Sequence, residues 1–477
     1  MLERFFHLRE HGTTVGREVL GGAVTFVALS YILFVQPVIL SDPNMTSPMD
    51  RGGVFVATCV CSAFACILMG MWANLPVALA PAMGHNVFFA LTVCGAATVG
   101  GFGWSWQEAL AANLLGGVIF ILLASAGLQD ALIRGIPDSL KYAIAAGIGF
   151  LIAFVGLQWG GLVVDNPVVY VQLGSLKSPV VLLTLFGLLV TGILLAYGVR
   201  GAILYGVLIS TVAALVLSHC YAQRWGFALA TWKGRVVSGV PDVSKTALGL
   251  VSGFKHLFTD NPVSKIITIV FIFLILDLFD CVGTLVGLAE RAGLIKDGRI
   301  PRVKQALLTD AIGTVAGTVL GTSTINSYIE SAAGISAGAR TGLAPVVTGF
   351  LLLAALFFYP LVELVGGTVA VSATSLGAVA GPDALVFCHP VIAPVLIIIG
   401  CYMLPVVTKI KWEDMTEALP AFLTIVVMQF ALSISHGIAW GFVSYVLLKL
   451  LRGRVRDIHP VVAVFAVLFV LFLATGR

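Results

Sequence analysis

The chain has 477 residues, 59% hydrophobic and only 10% charged, with a mean hydropathy of +1.04. Soluble domains carry roughly 25% charged residues, so this composition excludes a soluble globular protein and describes a polytopic membrane protein. The net charge of +4 comes without any basic stripe interleaved with aromatics, so nucleic acid is excluded as a partner.

The first eighteen residues are polar and amphipathic, and the apolar segment after them is long enough to span, so no cleavable leader is expected. Apolar runs close to the roughly 20 residues that cross a bilayer predict spans near 19–40, 53–72, 76–95, 106–127, 136–158, 179–197, 201–219, 263–289, 305–321, 322–338, 342–364, 391–406, 417–433 and 436–451. The run 460–474 is short for a crossing and is assigned to the interface or the bundle edge. Segment 220–262 is basic, lies outside in this scheme, and is expected to hold an amphipathic surface helix around Ser244 to Phe258. Cys59, Cys61, Cys66, Cys94, Cys220, Cys281, Cys388 and Cys401 fall mostly in apolar runs, with no partner at metal spacing, and read as packing thiols.

With the N-terminus inside, Arg4, Arg9, Arg17, Arg134, Lys141, Arg200, Arg291, Lys296, Arg299, Arg302, Lys304, Arg340, Lys409, Lys411, Arg452, Arg454 and Arg456 are all cytoplasmic. Short outside loops hold little beyond Arg51 and Lys177, which is the positive-inside pattern. Both termini are therefore expected in the cytoplasm. A weak repeat supports the span count. Proline openings recur at Pro137 and Pro394, and Gly201 and Gly206 after Tyr197 resemble Gly437 and Gly441 after Ser433. The members of each pair are an odd number of spans apart, so the halves face opposite ways, as in inverted-repeat carriers.

Two spans are expected to be discontinuous. In the third, ALAPAMGHNVFFA (78–90) carries Pro81, which lacks a backbone donor, and Gly84, so no continuous helix is expected before His85. In the tenth, GTSTINSYIESAAG (321–334) opens on small and β-branched residues and turns helical from about Asn326 or Ser327. Broken segments at matching places in two halves point to a midplane substrate site, and half-helix N-termini would offer backbone donors to a ligand carbonyl. Met83, Gly84, Asn86, Phe88, Phe89, Thr324, Ser327 and Glu330 are the candidate site residues there. A simple Pro81–Gly84 kink is the alternative; the polar cluster of Asn86, Ser327 and Glu330 weighs against it.

The eighth span is apolar except for Asp277, Asp280 and Thr284, whose i, i+3, i+7 spacing stacks them on one helical face. Such a face lines a cavity or another helix. Two carboxylates one turn apart repel, so a state in which one holds a proton is favoured. Asp277, Asp280 and Glu330 are the candidate proton-coupling residues. The bland reading is an Asp that caps a half-helix or bonds a hydroxyl. Asp310 reads equally as structural partner or relay. His85 is expected to point away from the ligand, Gln429 and His436 to stabilise a break between the last two spans, and Glu290 and Arg291 to be solvated.

At these residues the chain resembles the AzgA-like purine permeases of the nucleobase–ascorbate transporter superfamily. The matching stretches are GREVLGGAVTFVALSYILFVQPVIL (16–40), ALAPAMGHNVFFA (78–90), LDLFDCVGTLVGLAERAG (276–293), GTSTINSYIESAAGISAGARTG (321–342) and KIKWEDMTEALPAFLTI (409–425). The resemblance covers almost the whole chain. It implies an all-α fold of about fourteen spans as a 7+7 inverted repeat, with short extended stretches in spans 3 and 10. It further implies a homodimer in the cell membrane that takes up adenine, guanine or hypoxanthine with a proton and needs no cofactor. By the same resemblance the family's third-span Asn falls on Asn86, its eighth-span acids on Asp277 and Asp280, and its tenth-span Glu on Glu330. The chain departs from the family pattern at His85, Ala82, Gln36, Gln429 and the loop from Gly366 to Cys388.

The expected organisation is a first repeat at 1–220, a loop at 221–262, a second repeat at 263–452 and a hydrophobic segment at 453–477. Spans 1–4 and 8–11 would form a core, and spans 5–7 and 12–14 a gate. The function expected is proton-coupled purine uptake by alternating access, not catalysis. Alternatives are an anion carrier or channel on the same architecture, a permease preferring xanthine or uracil, and an intramembrane enzyme. The first would want Lys or Arg at the half-helix ends, and the last has no metal-binding set or nucleophile–base pair.

Overall fold

The computed structural model describes residues 2–96, 101–127, 135–294, 300–378 and 385–475; Arg134, Lys296 and Arg299 of the charge pattern lie outside them. After a short helix α1 (Leu2–Phe6), span 1 consists of α2 (Val15–Leu29) and α3 (Ile32–Leu40), and span 2 of α4 (Arg51–Leu68) with a π turn to Ala73. Span 3 is β1 (Leu79–Pro81), α5 (Met83–Val87) and a π turn Phe88–Val93. Spans 4 and 5 are α6 (Trp106–Ala126) and α7 (Asp138–Trp159), followed by a hairpin of β2 (Val163–Asn166) and β3 (Tyr170–Leu173). Spans 6 and 7 are α8 (Pro179–Ala196) and α9 (Ala202–Trp225).

A surface helix α10 (Gly249–Asp260) leads into span 8, α11 (Val263–Arg291), and span 9, α12 (Val303–Leu320). Span 10 is β4 (Ile325–Ser327) with α13 (Ser331–Ser336), and span 11 is α14 (Leu343–Ala355) with α15 (Tyr359–Val365). Within the loop from Gly366 to Cys388, β5 (Val369–Ser372) pairs antiparallel with β6 (Leu385–Cys388). Spans 12 to 14 are α16 (Ala393–Met403), α17 (Met415–Phe430) and α18 (Ile434–Leu451). Each expected span thus has its element. The last apolar run forms α19 (Pro460–Thr475), which packs at the bundle edge against α11 and α18, with Phe465 stacked on Phe271.

Polar residues at the ends of apolar runs set where helices begin. Thr14, Asp50 and Ser433 accept a backbone N–H from the first turns of α2, α4 and α18, and Ser105 with Glu108 forms a reciprocal capping box on α6. The surface helix begins later than expected, at Gly249, because residues up to Leu248 turn, and Leu248 itself takes φ 57°.

Two sets of helices pack mainly within themselves. One contains α2, α4, α6, α10, α11, α12, α13 and α14; the other contains α7, α8, α9, α16, α17 and α18. The glycine repeat has the same structural meaning in both halves. A Cβ at Gly206 would stand 2.0 Å from Thr191 Oγ1, and one at Gly441 2.0 Å from Thr424 Oγ1. Each threonine donates back to its own helix, Thr191 to Gly187 O and Thr424 to Pro420 O. Spans 6 and 7 therefore meet as spans 13 and 14 do. Gly206→Val and Gly441→Val are expected to cost about 1–3 kcal/mol each by overpacking, read as a lowered Tm of the detergent-solubilised protein.

Candidate functional site

The extended stretches of spans 3 and 10 pair with each other in the interior. β1 and β4 run antiparallel in the register Leu79–Ser327, Ala80–Asn326, Pro81–Ile325, and the ladder continues through Ala82 N–H to Thr324 O (3.0 Å) and Tyr328 N–H to Ala78 O (2.9 Å). Extended backbone inside a bilayer has no water to bond, and the partner strand supplies what the chain itself lacks. The pairing also corrects the expected start of the second half-helix. Residues 325–327 belong to the ladder and Tyr328 to Glu330 form a turn, so helix starts at Ser331. The two half-helix ends are unlike. The amides of Met83, Gly84 and His85 precede the first helical bond of α5, Asn86 N–H to Ala82 O, whereas those of Ser331 and Ala332 are taken by Tyr328 O and Ile329 O.

The polar face of α11 divides into two roles. Asp277 is only 3% exposed. Its Oδ1 accepts from Asn326 Nδ2 at 3.1 Å and its Oδ2 from Thr314 Oγ1 at 3.3 Å, tying span 8 to spans 10 and 9. Asp310 continues the brace: its Oδ1 accepts from Ser327 Oγ at 3.0 Å, and its Oδ2 has no partner among the described residues. Asp280, one turn along, is exposed. Glu330, half-buried at the start of α13, lies within electrostatic reach of Asp280. Tyr402 of α16, 55% exposed, lies within the same reach of Glu330. A charged Asp in mid-span does not face hydrocarbon, so the side of α11 that carries Asp280 faces water, a ligand or another polar surface.

The remaining candidates sit deeper. Asn86 is fully buried, and its Oδ1 accepts from Ser323 Oγ; Ser323 in turn accepts from Gln36 Nε2 at 3.0 Å. Thr324 donates to Asn113 Oδ1 at 2.9 Å, and Met83 is a weak acceptor for Asn86 Nδ2. Gly84 is half-buried where α5 meets the second helix set: a Cβ there would stand 2.8 Å from Ile148 of α7. Phe88 and Phe89 are not brought to the opening. Both are fully buried, with Phe88 edge-on to Phe273 at 4.8 Å and Phe89 tilted against it at 6.5 Å, so neither ring face is free to stack on a ligand. His85 is buried, and its Nε2 has no partner among the described residues.

Gln429 departs from its expected role, donating to Gly147 O of α7 at 2.9 Å, whereas His436 does sit at the break, against the N-cap Ser433. Three residues of the network escaped the sequence reading: Tyr31, whose hydroxyl donates to Glu330 Oε1 at 2.7 Å; Asn113; and Gln36 as a bridge to span 10. The signal available for each was a hydrogen-bonding tip in the middle of an apolar span. Among the described residues no three metal-ligating side chains converge.

A polytopic helical bundle with two broken spans crossing beside an opened acid pair is the construction of a membrane permease, not of an enzyme. The chain belongs to the Xan_ur_permease family, described as a permease family, whose pattern matches residues 16–387. It is 39% identical over 474 residues to the adenine permease AdeP of Escherichia coli (strain K12), covering 99% of this chain and 95% of that protein. It is 38% identical over 476 residues to the guanine/hypoxanthine permease PbuG of Bacillus subtilis (strain 168), covering 99% of each. In fold it is similar to the transmembrane domain of a cyanobacterium bicarbonate transporter, BicA, with a TM-score of 0.57 at 13% identity over 89% of this chain and 96% of that one.

Proposed function

We propose that the protein is a secondary active transporter for purine nucleobases, gripping the base between Asp280 and Glu330 and moving it with a proton. The carrying observation is that Asp280 is exposed and Glu330 half-buried with only Oε1 engaged, by Tyr31, while Asp277 is buried and bonded on both oxygens. A purine presents N–H donors along its edges, and charge-assisted bonds from such donors to carboxylates are the strong kind. The first-turn amides of α5 suit a ring carbonyl or nitrogen. The names of the relatives, permeases for adenine and for guanine and hypoxanthine, favour the same substrate class.

With Phe88 and Phe89 packed away, Tyr402 is the aromatic ring on the open side. Two like charges at one opening favour uptake of a proton alongside a neutral base, which would tie affinity to the proton gradient. The helix set containing α13, with α5 lying against its α11, would be the core, and the set containing α7 and α16 the gate. The Gly84–Ile148 contact lies at their boundary, so access would switch as one set slides past the other.

The test is uptake of radiolabelled hypoxanthine into cells expressing the protein, with adenine, guanine, xanthine and uracil as competitors, at mildly acidic and mildly alkaline external pH. Purine competition and faster uptake on the acid side are expected. Absence of purine uptake, with movement of an inorganic anion instead, would remove this reading.

A further inference from the structure

Tyr31 stands at the joint of span 1. Ser30 and Tyr31 separate α2 from α3, and the chain resumes through Leu33 N–H to Ser30 O (3.1 Å) and Phe34 N–H to Tyr31 O (3.0 Å). A tyrosine in an apolar span buries its ring readily, but its hydroxyl needs a partner. Here the residue is 2% exposed, and the hydroxyl reaches across to span 10, to Glu330 Oε1 at 2.7 Å. The tilted ring of Tyr328 lies 6.5 Å away, with its own hydroxyl committed to Pro81 O at 2.6 Å. Tyr31 is therefore held between the strand crossing and the one acid of span 10, to which its hydroxyl donates.

We propose that Tyr31 is a positioning residue that sets which face of Glu330 a nucleobase meets, and so tunes discrimination among purines; this rests on the purine-permease reading above. The hydroxyl proton occupies a lone pair of Oε1 and fixes the carboxylate plane, leaving Oε2 as the acceptor presented to the opening. A base offering one ring N–H to this carboxylate depends on that orientation. A base offering two adjacent donors, as guanine does with its ring N–H and exocyclic amine, can orient a free carboxylate by gripping both oxygens itself. The hydroxyl thus matters more to hypoxanthine than to guanine.

The experiment is concentration-dependent uptake of hypoxanthine and guanine by the parent, Tyr31→Phe and Tyr31→His proteins, with the amount in the membrane measured for each. Loss of a bond to a charged acceptor typically costs about tenfold or more. Tyr31→Phe is expected to raise KM for hypoxanthine about tenfold and for guanine about threefold or less, with the maximal rate per inserted molecule within about twofold of the parent. Tyr31→His, whose ring donor ends short of where the tyrosine hydroxyl meets Glu330, is expected to raise the hypoxanthine KM more than the guanine KM, as Tyr31→Phe does.

An unchanged ratio of the two KM values in Tyr31→Phe overturns the proposal, as does a fall in maximal rate per inserted molecule that is equal for both bases. If Tyr31→Phe does not reach the membrane, the histidine variant decides alone, and an unchanged ratio of the two KM values there overturns the proposal. A parent protein that takes up no purine removes the functional reading itself, a different outcome from a parent that transports normally beside a silent Tyr31→Phe.

Discussion

Glu330→Gln is expected to lower the kcat/KM of purine uptake by about a hundredfold or more while leaving membrane insertion unchanged. Three contributions add in one direction. The amide loses one acceptor, so an N–H edge of the base meets either one oxygen or a competing NH2 donor. The Tyr31 hydroxyl, which donates at 2.7 Å to the carboxylate in the parent, would meet a neutral amide and lose the charge assistance that made the bond strong. Asp280 loses Glu330 as a like-charged neighbour and keeps only Asp277, one turn away on its own helix, so the coupling of proton uptake to substrate weakens. A bond to a charged group is worth about 1.5–3 kcal/mol, and two such losses span a hundredfold and beyond at about 1.4 kcal/mol per decade. Gln is nearly isosteric, so α13 and the β1–β4 crossing should be untouched and Tm should hold within a degree or two. Uptake in Glu330→Gln within threefold of the parent would take Glu330 out of the binding site.

What the sequence made legible was whatever depends on local spacing. Asp277, Asp280 and Thr284 share a helical face because residues three and four apart must. Pro81 forbids one helical hydrogen bond wherever it is put. The run of apolar segments gave the spans, and the Gly206 and Gly441 positions turned out to mark equivalent contacts in the two halves. What the sequence hid depends on neighbours far along the chain. Tyr31 and Glu330 are 299 positions apart, and Gln36 and Ser323 are 287 apart; no periodicity links them. Phe88 and Phe89 looked fit to stack on a base because they follow Asn86, but the wide π turn from Phe88 to Val93 aims both at Phe273. The start of α13 was misjudged by a few residues because Ile325 to Ser327 have no strand signal of their own. They are extended only because β1 lies opposite.

The same division separates the two acids of span 8, and exchanging them one at a time should expose it. Asp280→Asn removes an exposed charge that has no hydrogen-bond partner among the described residues, so Tm is expected to stay within a degree or two while purine uptake falls at least about tenfold and loses much of its pH dependence. Asp277→Ala should behave in the opposite sense. It takes away the acceptor of Asn326 Nδ2 and one acceptor of Thr314 Oγ1, both buried, although each donor keeps a second contact, Asn326 to the backbone oxygen of residue 277 at 3.2 Å and Thr314 to Ile325 O at 3.0 Å. The expected cost is therefore about 1–3 kcal/mol, toward the low end of what an orphaned buried pair incurs, seen as a lower Tm of the solubilised protein and a lower yield in the membrane. Uptake per inserted molecule should fall less than in Asp280→Asn, because the brace loosens the crossing without removing the grip. Tm measurements and uptake normalised to inserted protein, made on both variants, separate the two roles. Equal Tm with equal loss of uptake would mean that both acids meet the substrate and that the bonds of Asp277 to spans 9 and 10 break during transport.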